Sequence, residues 1–156
     1  MWPVFKSFGG MRRATVKHML SLSLLCSCSV GAQSSWFTMS GEPGDPLSDI
    51  VQVDPQSRTF TAGSATLDLR VSRAALRSSS DGIPFRSYTA TVLVDCTVKT
   101  ARFVMAAFYM MPLWEGRAHK LLTYSPSEVR PMLFSSIEPN PTAKIIRAAC
   151  PSASAG

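Results

Sequence analysis

Histidine is nearly absent from this sequence: His18 and His119 are the only two in 156 residues. A Ser-His-Asp site needs a histidine held by a carboxylate beside a nucleophile. The many serines are not accompanied by a G-x-S-x-G elbow. His119, next to Lys120, therefore reads as an ordinary strand residue rather than a catalytic base. Cysteine is scarce as well, with four in all, and a structural zinc site takes about four Cys or His ligands. Asp45, Asp49 and Asp54 are spread out and lack the glycine-bearing loop of an EF-hand. Glycosidase chemistry needs two facing carboxyls, but some pair is inevitable among ten acidic residues and carries no weight. No uncharged apolar run reaches the ~20 residues a helix needs to span a bilayer. These absences imply no enzyme chemistry, no catalytic residue, no cofactor, no metal and no transmembrane span.

The basic residues have a direction. Lys6, Arg12, Arg13 and Lys17 precede the first apolar run, and no acidic residue does. The formal charge of +6 falls to +2 once those four are set aside, leaving twelve basic against ten acidic residues. The remaining Lys and Arg are scattered singly between Arg58 and Arg147. They lack the clustering and stacking aromatics that nucleic-acid binding asks for, so no nucleic-acid partner is implied. The stretch from Met19 to Val30 is uncharged and of signal-peptide length, and Val30-Gly31-Ala32 supplies the small residues of a cleavage site. Residues 1–32 thus read as an export signal cut after Ala32, with Met11 as an alternative start. A rival reading is lipidation at Cys28, which Leu25-Cys26-Ser27 precedes and which would make the protein an outer-membrane lipoprotein. Either way the protein is exported, to the periplasm or beyond.

Period-2 alternation dominates the chain beyond the leader. Residues 33–48 read as a Ser/Gly/Pro loop, within which Trp36 and Phe37 form a short strand plugged into the core. Residues 49–54 alternate, with Ile50 and Gln52 opposite Val51 and Val53. Asp54-Pro55-Gln56-Ser57 suits a turn, residues 58–61 a strand, and Ala62-Gly63-Ser64 another turn. Residues 65–72 set Leu67, Leu69 and Val71 against Thr66, Asp68 and Arg70. A serine-rich loop comes next, at 78–82. Residues 84–96 form the clearest strand, with Tyr88, Ala90, Val92, Val94 and Cys96 on one face, and residues 97–100 can turn. Residues 101–111 could be helix or strand; the short connection and the aromatics favour a hairpin partner with Phe103, Met105, Ala107 and Tyr109 on one side. Met105, Met110 and Met111 invite a copper reading because thioethers are soft ligands, but they read better as core filler. Phe108, Tyr109, Met110, Met111, Leu113 and Trp114 form either an exposed interaction edge or buried packing. Residues 118–124 make one more strand, and Phe134 and Ile137 anchor an irregular segment.

The end of the chain changes period. Asn140 is a capping residue and Pro141 suits a first helical position. Ile145 with Ala149, and Ile146 with Cys150, stand four apart, so a helix over 141–149 would carry Cys150 beside Ile146. Cys26 and Cys28 fall in the leader, which leaves Cys96 and Cys150 to pair in an oxidising compartment. Closing a loop of that length contributes roughly 4 kcal/mol in the chain-entropy account. Residues 151–156 read as a disordered tail.

From Trp36 to Cys150 the chain resembles the surface-adhesin protein E-like family of small exported bacterial proteins. Carrying the resemblance are Trp36, Ile50-Val51-Gln52-Val53-Asp54-Pro55-Gln56-Ser57 and Gly63. They are joined by Ser87, Asp95-Cys96, Arg102, Tyr109 and Gly116, then by Glu138-Pro139-Asn140-Pro141, Ile146 and Ala149-Cys150. The chain departs from the family at Phe134, where Trp is common, and in its longer hairpin around Gly63. The resemblance implies an antiparallel sheet backed by helix with the two cysteines bridged. The family's named adhesin is an outer-membrane lipoprotein that binds host matrix and plasma proteins; no binding segment here matches it residue by residue. The expected fold class is α+β: an antiparallel β-sheet with a short C-terminal helix packed on it and one disulfide, over residues 33–150. The expected function is a non-catalytic exported binding domain with a protein or envelope partner, and the alternative is a small periplasmic enzyme or enzyme inhibitor.

Overall fold

The computed structural model describes residues 36–150. The leader with its cleavage site, Cys28 and the tail lie outside the described residues. Six strands succeed one another in sequence and in space: β1 (Phe37–Ser40), β2 (Ile50–Thr61), β3 (Ser64–Ser78), β4 (Pro84–Asp95), β5 (Thr100–Tyr109) and β6 (Lys120–Thr123). They form one antiparallel sheet in the order β1-β2-β3-β4-β5-β6. A single turn of 3-10 helix (Pro112–Trp114) lies between β5 and β6, and α1 (Thr142–Ala149) closes the described chain. The α+β expectation holds in outline, but with one helix of eight residues among the described residues, that part of the chain is mostly β.

Alternation builds the inner face. Val53, Leu69, Ala90 and Ala106 run across four strands in register, as do Val51, Val71, Tyr88 and Phe108. All are buried, and Met132, Phe134, Ile137, Ile145, Ile146 and Ala149 cover them. The helix begins where the sequence placed it. Pro141 already has helical angles, the Asn140 carboxamide oxygen accepts the Thr142 N–H at 3.0 Å, and the Ile145 N–H reaches the Pro141 carbonyl at 3.0 Å. Its buried side chains are Ile145, Ile146 and Ala149, so the i,i+4 stripe faces the sheet. The Cys96–Cys150 disulfide joins the end of β4 to the end of α1, with Cα atoms 5.5 Å apart.

The structure corrects four expectations from the sequence. Asp54-Pro55-Gln56-Ser57 does not reverse the chain: β2 runs through it as one strand of 12 residues with a bulge opposite Leu67. The Asp54 carboxylate does accept the Gln56 N–H at 2.9 Å, and the Ser57 hydroxyl accepts the Asp68 N–H at 2.8 Å, so local bonding absorbs the extra residues without ending the ladder. β3 continues past Ser72 to Ser78, through a second bulge. In β5 an extra residue, Val104, separates Phe103, opposite Val92, from Met105, opposite Thr91. The bulge exchanges the faces, so Ala106 and Phe108 are buried while Met105 is 39% exposed. With Met110 and Met111 also exposed, none of the three methionines is core filler. Phe37 belongs to a short strand as expected, but that strand is the sheet edge and Phe37 does not plug into the core; it is 61% exposed.

Candidate functional site

The bulge in β3 sets the site. Between Ser72 and Arg77 the pairing with β4 is interrupted, and Arg86 bridges the gap by donating from Nε to the Arg73 carbonyl at 3.0 Å. Val71 and Arg73 are buried on the inner face by plain alternation, and Ser72 on the opposite face, where its hydroxyl accepts the Leu113 N–H. Arg73 therefore lies under the sheet. Its Nε lies 3.2 Å from Asp49 Oδ1, an ionic contact not aligned as a hydrogen bond. The same Asp49 oxygen accepts the Ala74 N–H at 2.8 Å, so one carboxylate neutralises the guanidinium and fastens the bulge. The other two guanidinium nitrogens point at the Ser135 and Ser136 carbonyls, at 3.5 and 3.3 Å.

Beside Arg73 is a cavity of about 440 Å³. That lies within the range of roughly 300–1,000 Å³ typical of small-molecule sites. Its floor is aromatic. Phe85 meets Tyr88 edge-on at 5.4 Å and Phe108 at 5.6 Å, and Tyr88 meets Phe103 edge-on at 6.0 Å. Arg77, Arg130, Tyr124 and Leu133 stand around it with serine residues from two loops. Three arginines line the cavity and no carboxylate does.

A polar latch fastens one side of the mouth. Asp81, in the turn between β3 and β4, receives hydrogen bonds from Arg130 Nη2 at 2.6 Å and Nε at 3.2 Å, and from the Tyr124 hydroxyl at 2.9 Å. The Arg130 hydrogen bond holds the Asp81 carboxyl below its usual range, against a smaller opposing effect of burial. Tyr124 is pushed up to about 12, first by burial and then by the Asp81 carboxylate beside it. Burial raises Tyr88 further still, since an ionised phenol beneath the sheet would lose its water.

The opposite face of the sheet carries a different cluster. The Arg70 guanidinium lies between two indoles, 4.3 Å from the Trp36 ring and 4.0 Å from the Trp114 ring, and its Nε donates to Gln52 Oε1 at 2.7 Å. The Trp114 indole N–H reaches the carbonyls of Val71 and Tyr88 at 3.1 and 3.0 Å. The fully buried hydroxyls of Ser72 and Ser87 accept the N–H groups of Leu113 and Trp114, both at 3.0 Å. The segment after β5 is therefore pinned flat onto the sheet. Phe108 is buried, Trp114 half-buried, and Met110 and Met111 exposed, so the expected aromatic edge divides between the two readings.

The disulfide cysteines are brought together; His119 is not brought to the cavity. It is exposed, and its backbone N–H bonds the Phe108 carbonyl at 2.9 Å. Among the described residues no group of three or more His, Cys, Asp or Glu is placed to hold a metal. No described helix is long and apolar enough to cross a membrane, which says nothing of strands. Sequence reasoning missed Arg73, Arg77, Asp81, Tyr124 and Arg130. Their only signal was negative: the alternation of β3 fades after Ser72, where two arginines and a serine-rich turn come next. No protein-family model, no curated protein and no solved structure matches the chain.

Proposed function

We propose that this chain is a non-catalytic exported binding domain, acting in the periplasm or outside the cell, of the surface-adhesin protein E-like kind. The observation that carries the reading is the cavity of about 440 Å³ on the inner face, with its aromatic floor and arginine surround. Apolar walls with a few fixed polar groups are what binding sites offer. Chemistry would ask for a nucleophile beside a base that a third group orients. The serine hydroxyls near the cavity have no histidine among the residues lining it, and Asp81 is occupied by Arg130 and Tyr124.

Native mass spectrometry of protein taken from the cell envelope without denaturation tests this. A bound molecule of constant mass is expected, displaced when Ala106→Phe fills the cavity. In parallel, the exported protein is used as bait against envelope extract and host matrix proteins. Empty protein that captures no partner would overturn the binding reading. His119→Ala is expected to leave every activity of the folded protein intact; a turnover abolished by that substitution would select an enzyme instead. Export itself is read from the N-terminus of protein recovered from outside the cytoplasm, expected at Gln33, whereas a diacylated Cys28 would select the lipoprotein.

A further inference from the structure

We infer that the cavity under β3–β5 takes a small organic monocarboxylate with an apolar aryl or alkyl body, its carboxylate on Arg77 and its body over Phe85, Tyr88 and Phe108. This rests on reading the cavity as a binding site and goes further by naming the ligand. The charges around the cavity decide the anion. Arg73 is matched by Asp49, at 3.2 Å, and Arg130 by Asp81, at 2.6 Å. Arg77 lines the cavity, is exposed, and has no ion-pair or hydrogen-bond partner among the described residues. One unmatched guanidinium calls for one negative charge. Its planar fork fits a carboxylate with two parallel hydrogen bonds, whereas a dianion would remain half-neutralised.

The register places the two ends of such a ligand. Arg77 pairs with Phe85 across β3 and β4, and both line the cavity, so the cation stands beside the first ring of the floor. From Phe85 the rings continue to Tyr88 and Phe108, 5.4 and 5.6 Å away. A molecule that holds Arg77 with its head must lay its body along those rings. Leu133, 64% exposed at the rim and lining the cavity, is an apolar side chain left uncovered where that body would enter.

The test uses the full exported protein with its disulfide intact. Decanoate and 4-phenylbutanoate, labelled with carbon-13 at the carboxyl, are titrated beside decanol and 4-phenylbutanol, and binding is followed by NMR. Each acid is expected to bind at least about tenfold more tightly than its alcohol, the scale of a charge-assisted hydrogen bond. Arg77→Gln, an exposed substitution that leaves the fold alone, is expected to remove that advantage while the alcohols bind unchanged. Acid and alcohol binding equally, or an Arg77→Gln variant that weakens both alike, would overturn the carboxylate assignment and leave the cavity as a site for neutral apolar molecules. If none of the four probes moves a resonance of Leu133 or Ala106, the cavity is not a binding site for such molecules and both readings fall. Preference between the two acids identifies an alkyl or an aryl body.

Discussion

Asp81 shows how one carboxylate in a turn can hold two distant segments. Its depressed pKa means that the folded state favours its ionised form. The stabilisation is therefore fully present above the ordinary carboxylate value, 3.8, and is lost as pH falls through the lower folded value. Asp81→Asn is expected to lower the melting temperature at pH 7, with the difference shrinking below about pH 4 and vanishing in stronger acid. The same variant should draw the Tyr124 midpoint down from about 12, since the neighbouring negative charge is gone; tyrosinate absorbance against pH reads this directly. Trp114 makes a complementary case. Its indole N–H serves two strand carbonyls at once, and Trp114→Phe keeps the ring on Arg70 but removes the donor. The expected cost is about 1–2 kcal/mol by chemical denaturation. Neither role could be read from the sequence, although Trp114 reads there as part of an aromatic edge. Asp81 stands in a run of serines and glycine, and an indole's hydrogen bonds depend on which strand carbonyls the fold leaves open.

Elements were legible where alternation is unbroken and illegible where a residue is inserted. Residues 65–72 and 87–92 keep strict period 2, and the structure places their apolar members inside as the pattern demands. The segment 54–58 carries turn residues that mimic a reversal, and a bulge satisfies the same local hydrogen bonds. At Val104 one extra residue reverses the face of everything after it, and nothing in the composition of an apolar run announces the change. The turn at Ala62-Gly63 was legible, and its geometry gives a further prediction. Both central residues have positive φ, 47° and 83°, the conformation of a hairpin turn in which Asn-Gly is preferred. Ala62→Asn is expected to raise stability by about 1 kcal/mol, close to the cost of holding alanine left-handed. A denaturation midpoint unchanged or lowered would show that the strain at Ala62 is relieved elsewhere.

At the scale of the whole molecule, the sheet, the terminal helix and their covalent link were readable, because each rests on a pattern spread over many residues. The cavity was not, since it forms from four separate segments that only the tertiary fold brings together. The helix depends on its surroundings: eight residues are too few to persist in water alone. Replacing Cys96 and Cys150 by Ala is expected to cost about 2–5 kcal/mol, the range for small domains closed by a native disulfide. Hydrogen exchange should then show residues 143–149 losing protection before any strand. Strands and helix opening together would mean that Ile145, Ile146 and Ala149 hold the helix without the bond.

The order of the strands has a consequence for how the molecule is made. Each strand after β1 pairs with the one just before it, so a chain delivered from its N-terminus can add hairpin upon hairpin without waiting for a distant partner. Such short-range closure is fast. Cys150 arrives 54 residues after Cys96 and beyond all six described strands. A chain that stops early therefore builds most of a sheet yet keeps a lone thiol at the end of β4, open to oxidoreductases or to another chain. Completion of the domain is written into its covalent state, and quantifying free thiol in newly made protein would separate finished molecules from unfinished ones.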